Sequence, residues 1–315
     1  MGIECDRVND RPSDGALVKI AVRLSDRALP RMIDRHCSYI ESMLASKDYD
    51  AILIISGQSL SLHREHLERL KGAAPGAELV LYQWDSLANY PRIADLLPLF
   101  DRTFSFDPHD AEQYGMAFLP LFYHQGYKAI GDACVRDRTF DFSYVGTAHP
   151  AKHEFITKFI EKSGVDKSRC EFYEYLPSPL VFIRHRLLEP SYRGSVPSDF
   201  HFRPLSPSET EELVSRSNVV LDAPQANQSG LTIRTIECLG ARRKLITTNA
   251  AVKEYDFYRP ENIYVWDGGV IDLSHPLFSS PWVEPPSDVR KSYSLRSWLG
   301  KVLGLGLIEA NKERQ

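Results

Sequence analysis

The chain has 315 residues, 43% of them hydrophobic and 25% charged, which excludes a disordered or fibrous protein and leaves room for two domains of ordinary size. A net charge of −4 gives no general attraction to nucleic acid, and no apolar run approaches the ~18 residues that a membrane-spanning helix requires. Five scattered cysteines (Cys5, Cys37, Cys134, Cys170, Cys238) include no CxxC, so neither a disulfide framework nor a zinc site is indicated and a reducing cytoplasm fits best.

Near the start, Val18-Lys-Ile-Ala-Val-Arg-Leu24 alternates with period two and permits a strand, while Ser13 and Asp14 are capping residues that permit a helix instead. Strand-like apolar runs then recur at Ala51–Ser56, Glu78–Tyr82, Thr103–Phe106, Phe118–Phe122, Phe142–Val145, Glu171–Tyr175, Val219–Asp222, Lys244–Thr248 and Ile263–Trp266. Candidate helices lie between most of them, which is the alternation of parallel α/β sheets and predicts two doubly wound domains. Asp48-Tyr-Asp50 precedes a strand and reads as a turn, not as a metal site. Asp107 and Asp110 flank Pro108-His109 and predict a helix over Asp110–Tyr114. The polar stretch Gly131–Arg138 marks a boundary, giving domains at 1–130 and 131–290, and Pro190–Pro207 reads as a surface loop. The last segment, Asp288–Leu303, has apolar residues at helical spacing with basic residues between them, so 291–315 is a terminal helix and tail. Such a stripe either packs on the protein or meets an anionic membrane surface.

The most informative stretch is Gln228-Ser-Gly-Leu-Thr-Ile-Arg-Thr-Ile-Glu-Cys-Leu-Gly240 before the strand Lys244–Thr248. A helix opening on Ser229-Gly230 presents backbone N–H groups to an anion, and a guanidinium at Arg234 suits phosphate oxygens, with Thr232 adding a hydroxyl. An N-cap role for Ser229 and an ordinary ion pair for Arg234 are the structural alternatives. Gly146-Thr147 ends a strand with small residues, where a backbone can approach a ligand closely, and Lys152, His149 and His153 follow. In the first domain, Trp84-Asp85-Ser86 stands at the carboxyl end of a strand, where α/β sheets bind ligands. Asp85 is a candidate general base or a helix cap, and His124 is a second acid/base candidate.

Together with Tyr82-Gln-Trp-Asp-Ser86, Phe100–Pro108, Phe118–Tyr123 and Asp141-Phe-Ser-Tyr-Val-Gly-Thr147, that stretch resembles GT-B glycosyltransferases of the bacterial lipopolysaccharide, capsule and exopolysaccharide type, from about Glu4 to the end. The resemblance implies an α/β, GT-B-like fold, two Rossmann-like domains with a cleft between them, and helix over most of Gly15–Ala45. It aligns the segment Ile3–Pro12 with the family's second strand, so the first βα unit, about 30 residues, is expected to be missing. It also implies a nucleotide-sugar donor held by Gly146, Thr147, Gln228, Ser229, Gly230, Thr232, Arg234 and Glu237, with Asp85 and His124 as catalytic candidates. Glu237 matches the second of two glutamates that many retaining members carry eight residues apart, and Ser229 stands where the first would be, which leaves the stereochemistry open. The resemblance further implies no metal or cofactor, a glycan or lipid-linked acceptor, and a cytoplasmic location with peripheral contact at the inner membrane face. A nucleotide-sugar epimerase of the same architecture and a catalytically silent sugar-nucleotide or glycan-binding module are the alternative functions.

Overall fold

A computed structural model describes residues 2–9, 11–13, 15, 29–57, 60–133, 138–224 and 229–305. Gln228, Cys134 and most of the helix expected before residue 29 lie outside these residues. By internal contacts the chain forms two compact units. One takes in residues up to Leu121, then Ser229 and Gly230, then the segment from Arg296 onward; the other runs from Phe122 and resumes at Leu231 through Leu295.

The first unit alternates α1 (Pro30–Leu44), β1 (Ala51–Ser56), α2 (Arg64–Ala73), β2 (Glu78–Gln83), β3 (Arg102–Ser105), α3 (Pro108–Tyr114) and β4 (Ala117–Phe118). Its strands are parallel, in the order β1-β2-β3-β4. Apolar residues on both faces of β2 make it a buried strand, and Leu79 and Leu81 pack with Leu67 and Leu70 of α2 and with Leu87 and Ile93. The expected strand over Phe118–Phe122 stops at Phe118, since Pro120 has no N–H to give to a ladder. The described residues of Ile3–Pro12 contain no strand; there, Asp6 is held by Tyr49 (2.7 Å) and Lys47 (2.6 Å).

The second unit contains α4 (Gln125–Asp132), β5 (Phe140–Thr147), α5 (Pro150–Ser163), β6 (Cys170–Tyr175), α6 (Pro179–Leu188), α7 (Pro207–Ser215), β7 (Ser217–Asp222), α8 (Ile233–Ala241), β8 (Lys244–Thr247), β9 (Ile263–Val265), α9 (Pro276–Ser279) and α10 (Ser287–Ser292). All five strands are parallel in the order β6-β5-β7-β8-β9, so winding reverses between β5 and β7. Tyr144, Phe159, Leu221, Ile246 and Trp266 form the main core. Pro190–Pro207 is more than a surface loop: Tyr192 and Phe200 from it join Leu176 and Phe182 in a second buried cluster.

The terminal amphipathic segment divides into α10 and α11 (Leu295–Val302), and its apolar face is covered. Trp298 and Val302 are buried, and the Trp298 indole meets the Tyr82 ring edge-on at 4.7 Å. The stripe therefore packs on protein, which corrects the option of a membrane-facing terminal helix.

Candidate functional site

In an open α/β sheet, ligands bind outside the carboxyl ends of the strands at the point where winding reverses, because loops diverge there and leave a crevice. In the second unit that point lies between Thr147, the last residue of β5, and Asp222, the last of β7. Gly146 is needed there for a local reason, since a Cβ would lie 2.4 Å from the Tyr144 hydroxyl two residues back on the same face. That hydroxyl is buried without a hydrogen-bond partner among the described residues and feels the charges of Glu174, Asp222 and Arg234. Burial pushes its pKa up, as do Glu174 and Asp222.

The α8 helix begins at Ile233, four residues after Ser229, because Thr232 takes the N-cap and accepts from the Thr235 N–H at 3.2 Å. The Thr232 hydroxyl donates to Asp222 Oδ2 at 2.5 Å, and the Thr235 hydroxyl donates to the same oxygen at 3.2 Å. Asp222 is buried, which raises its pKa against the opposing hydrogen bond from Thr232; Arg234 and Lys152 supply nearby positive charge.

Arg234 and Glu237 face each other one turn apart, Nη1 to Oε2 at 2.7 Å, with both side chains largely buried. The Tyr127 hydroxyl also hydrogen-bonds the Glu237 carboxylate, so Arg234, Glu237 and Tyr127 form one buried polar group. Burial raises the Glu237 pKa and Arg234 opposes the rise. Arg234 also donates to the Tyr127 hydroxyl of α4 at 3.2 Å. His124 caps α4, its Nδ1 accepting from the Gly126 N–H at 3.2 Å, while Nε2 stands 3.6 Å from Glu211. Thus His124, Thr232, Arg234 and Glu237 share one region of the second unit with Tyr127 and Asp222.

Ser229 and Gly230 belong elsewhere. Their backbone N–H groups donate to Asp107 Oδ2 at 2.9 and 3.0 Å, and the Ser229 hydroxyl donates to Oδ1, all within the first unit. A protein carboxylate thus occupies the anion position that the sequence assigns to a ligand. Asp107 also caps α3 through the His109 and Asp110 N–H groups (3.0 and 3.3 Å), which starts that helix at Pro108, two residues before the expected start. Burial pushes the Asp107 pKa up, but hydrogen bonds from Ser229, Gly230 and Asp110 prevail and leave it below the usual carboxylate range. Gly230 lies against Phe106, whose ring would be 2.7 Å from an added Cβ.

At the carboxyl end of β2, Trp84 is 49% exposed and borders Gly57. Asp85 Oδ1 accepts from the Ser86 N–H (2.9 Å) and the Asn89 side chain (2.8 Å), while Ser86 caps the next helical turn. Asp110, buried beneath, accepts from the Leu87 N–H at 2.7 Å and fixes that turn.

His153 is committed to structure. Its Nδ1 lies 2.9 and 3.0 Å from the two Glu174 oxygens and its Nε2 3.0 Å from Ser195 Oγ, with the ring against Tyr192 and Phe200. The order of partners matches a nucleophile–base–carboxylate relay, but a ring enclosed by two aromatics pins α5 to β6 and to the loop after α6.

Sequence reasoning missed Tyr144, Tyr127, Asp222 and Asp107. Asp222 carried a signal, being an acid that closes the apolar run Val219-Val-Leu. The Asp107 role carried none, because its partners lie 122 and 123 residues away.

No family model and no curated protein matches the chain by sequence. Solved structures match in fold. An α,α-trehalose-phosphate synthase (UDP-forming) from Burkholderia vietnamiensis superposes with a TM-score of 0.52 at 11% identity, covering 93% of this chain and 83% of that one. Anabaena HepE in complex with UDP and glucose gives 0.51 at 11% identity, over 93% and 77%. The apo form of the lipopolysaccharide outer core galactosyltransferase WaaB gives 0.49 at 11% identity, over 89% and 81%. With its two parallel α/β sheets, the chain has the GT-B fold.

Proposed function

We propose that this chain is a glycosyltransferase that moves a sugar from a nucleotide-sugar donor to a glycan or lipid-linked acceptor in bacterial surface polysaccharide or lipopolysaccharide assembly, working at the cytoplasmic side of the membrane. The observation that carries the reading is the charged cluster where winding reverses in the second unit: Arg234 paired with Glu237, beside Asp222 and Lys152. Two proteins of the same fold have names that specify UDP, which supports a uridine nucleotide.

In this reading Arg234, Lys152 and the α8 N-terminus face the diphosphate, where positive charge stabilises the departing group. The Glu237 carboxylate, held by Arg234, accepts from a ribose hydroxyl, and the Tyr144 hydroxyl supplies a donor beside Gly146 and Thr147. Trp84 stacks on an acceptor sugar, and Asp85 removes the proton of the attacking hydroxyl.

The test is calorimetric titration of wild type and Glu237→Gln with UDP, GDP, CMP and their sugar conjugates, with circular dichroism as the folding check. Selective binding of one nucleotide, weakened by about 1 kcal/mol or more in the folded variant, is expected. Absence of binding by the folded wild type, or equal binding by the variant, overturns the assignment.

A further inference from the structure

The α6 helix is apolar on nearly every side: Pro179-Leu-Val-Phe-Ile-Arg-His-Arg-Leu-Leu188. A helix of that composition is normally enclosed, yet only Phe182 is buried, packed on Phe200 and Tyr192. On the opposite side Leu180 is 75% exposed, Ile183 50%, Leu187 78% and Leu188 66%. At about 100° per residue, Leu180, Ile183 and Leu187 fall within a stripe roughly 60° wide, with Arg184 on one flank and Arg186 on the other. Both arginines are exposed, Arg186 donating from Nη1 to the Ser195 carbonyl with its other N–H groups toward solvent, and exposed Arg193 follows just after the helix. The buried cluster beneath holds this face in place, so its exposure belongs to a fixed surface.

We propose that the outer face of α6 docks on an anionic lipid bilayer. Ten residues of helix cover about 15 Å, too short to cross a membrane and suited to lying in its interface. Leucine and isoleucine enter the acyl boundary while the flanking guanidinium groups extend to headgroup phosphates. The charge pattern selects this occupant over a second copy of the chain: like arginines on both flanks would face each other across a symmetric pair. The terminal helix, the membrane candidate in the sequence, has its apolar face covered, whereas α6 does not. The inference extends the reading of a membrane-borne acceptor, but its test needs neither donor nor acceptor.

The experiment is co-sedimentation of the full chain with vesicles of phosphatidylcholine alone and with about one quarter phosphatidylglycerol. Wild type is expected to pellet with the anionic vesicles, and Leu180→Ser/Leu187→Ser to weaken that partitioning at least about tenfold with an unchanged melting temperature. Arg184→Gln/Arg186→Gln is expected to abolish the preference for the anionic vesicles. Wild type that stays in the supernatant, or Leu180→Ser/Leu187→Ser that pellets as wild type does, overturns the proposal. So does a dimer seen by light scattering that L180S/L187S abolishes in the absence of vesicle binding, which would give the face to self-association. Vesicle binding without nucleotide binding would sink the transferase reading and leave this one standing.

Discussion

Arg234 and Glu237 are the residues on which the donor-site reading is most exposed to test, and their burial complicates the obvious variants. Removing one member of a buried pair leaves an uncompensated charge, so Arg234→Ala is expected to cost about 3–5 kcal/mol of stability. Arg234→Met/Glu237→Leu, which removes both charges and keeps volume, is expected to recover most of that loss in urea denaturation. A loss below about 1 kcal/mol for Arg234→Ala would mean that water screens the pair. Gly230 offers a cleaner probe of the first unit. A methyl group there meets the Phe106 ring at 2.7 Å and the Phe106 carbonyl at 2.9 Å, and the carbonyl is backbone that cannot swing aside. Gly230→Ala is expected to destabilise by about 1–3 kcal/mol, read as a shift of the urea midpoint.

Among the elements, most strands of the described residues overlap the apolar runs, since central parallel strands such as β2 and β7 are covered on both faces and need continuous Val and Leu; β4 is the exception, ending two residues before Pro120. What composition did not reveal is where polar groups send their hydrogen bonds. Ser229-Gly230 and Thr232 are both plausible helix openings by residue type, and only the presence of Asp222 beside Thr232 and of Asp107 beside Ser229 assigns the cap to Thr232. Asp107 thereby links the start of α3 to the segment that precedes α8. Its folded pKa is depressed, so the carboxylate's contribution is complete above the unfolded value of about 3.9 and is lost as pH falls toward the lower folded value. Asp107→Asn is expected to cost about 1–3 kcal/mol at neutral pH. The gap from wild type should narrow below about pH 4 in urea titrations; a gap that stayed constant with pH would show that the charge is irrelevant. The α6 face was equally hidden from the sequence, since an apolar helix reads as core until the structure shows which side is covered.

At the scale of the molecule, the first unit is assembled from separate stretches of chain, and α11 is the part of it that arrives last in sequence. Trp298 packs on Tyr82, whose own hydroxyl donates to the Leu119 carbonyl at 3.0 Å. Trp298→Ala therefore opens a cavity beside β2, and a loss of about 3–5 kcal/mol is expected in thermal or urea unfolding. A loss under about 1 kcal/mol would show that α11 is a dispensable cover. The same arrangement bears on biosynthesis. Domains usually complete themselves in order as a nascent chain emerges, at about 5–20 residues per second. Here the stretch that ends at Leu121 must wait for Arg296 and its successors, a delay of roughly 10–35 s at those rates before the Trp298 indole can reach the Tyr82 ring. The ribosome thus finishes the second unit's last residue before the first unit has all of its parts, and the half-made sheet is the species a chaperone would meet.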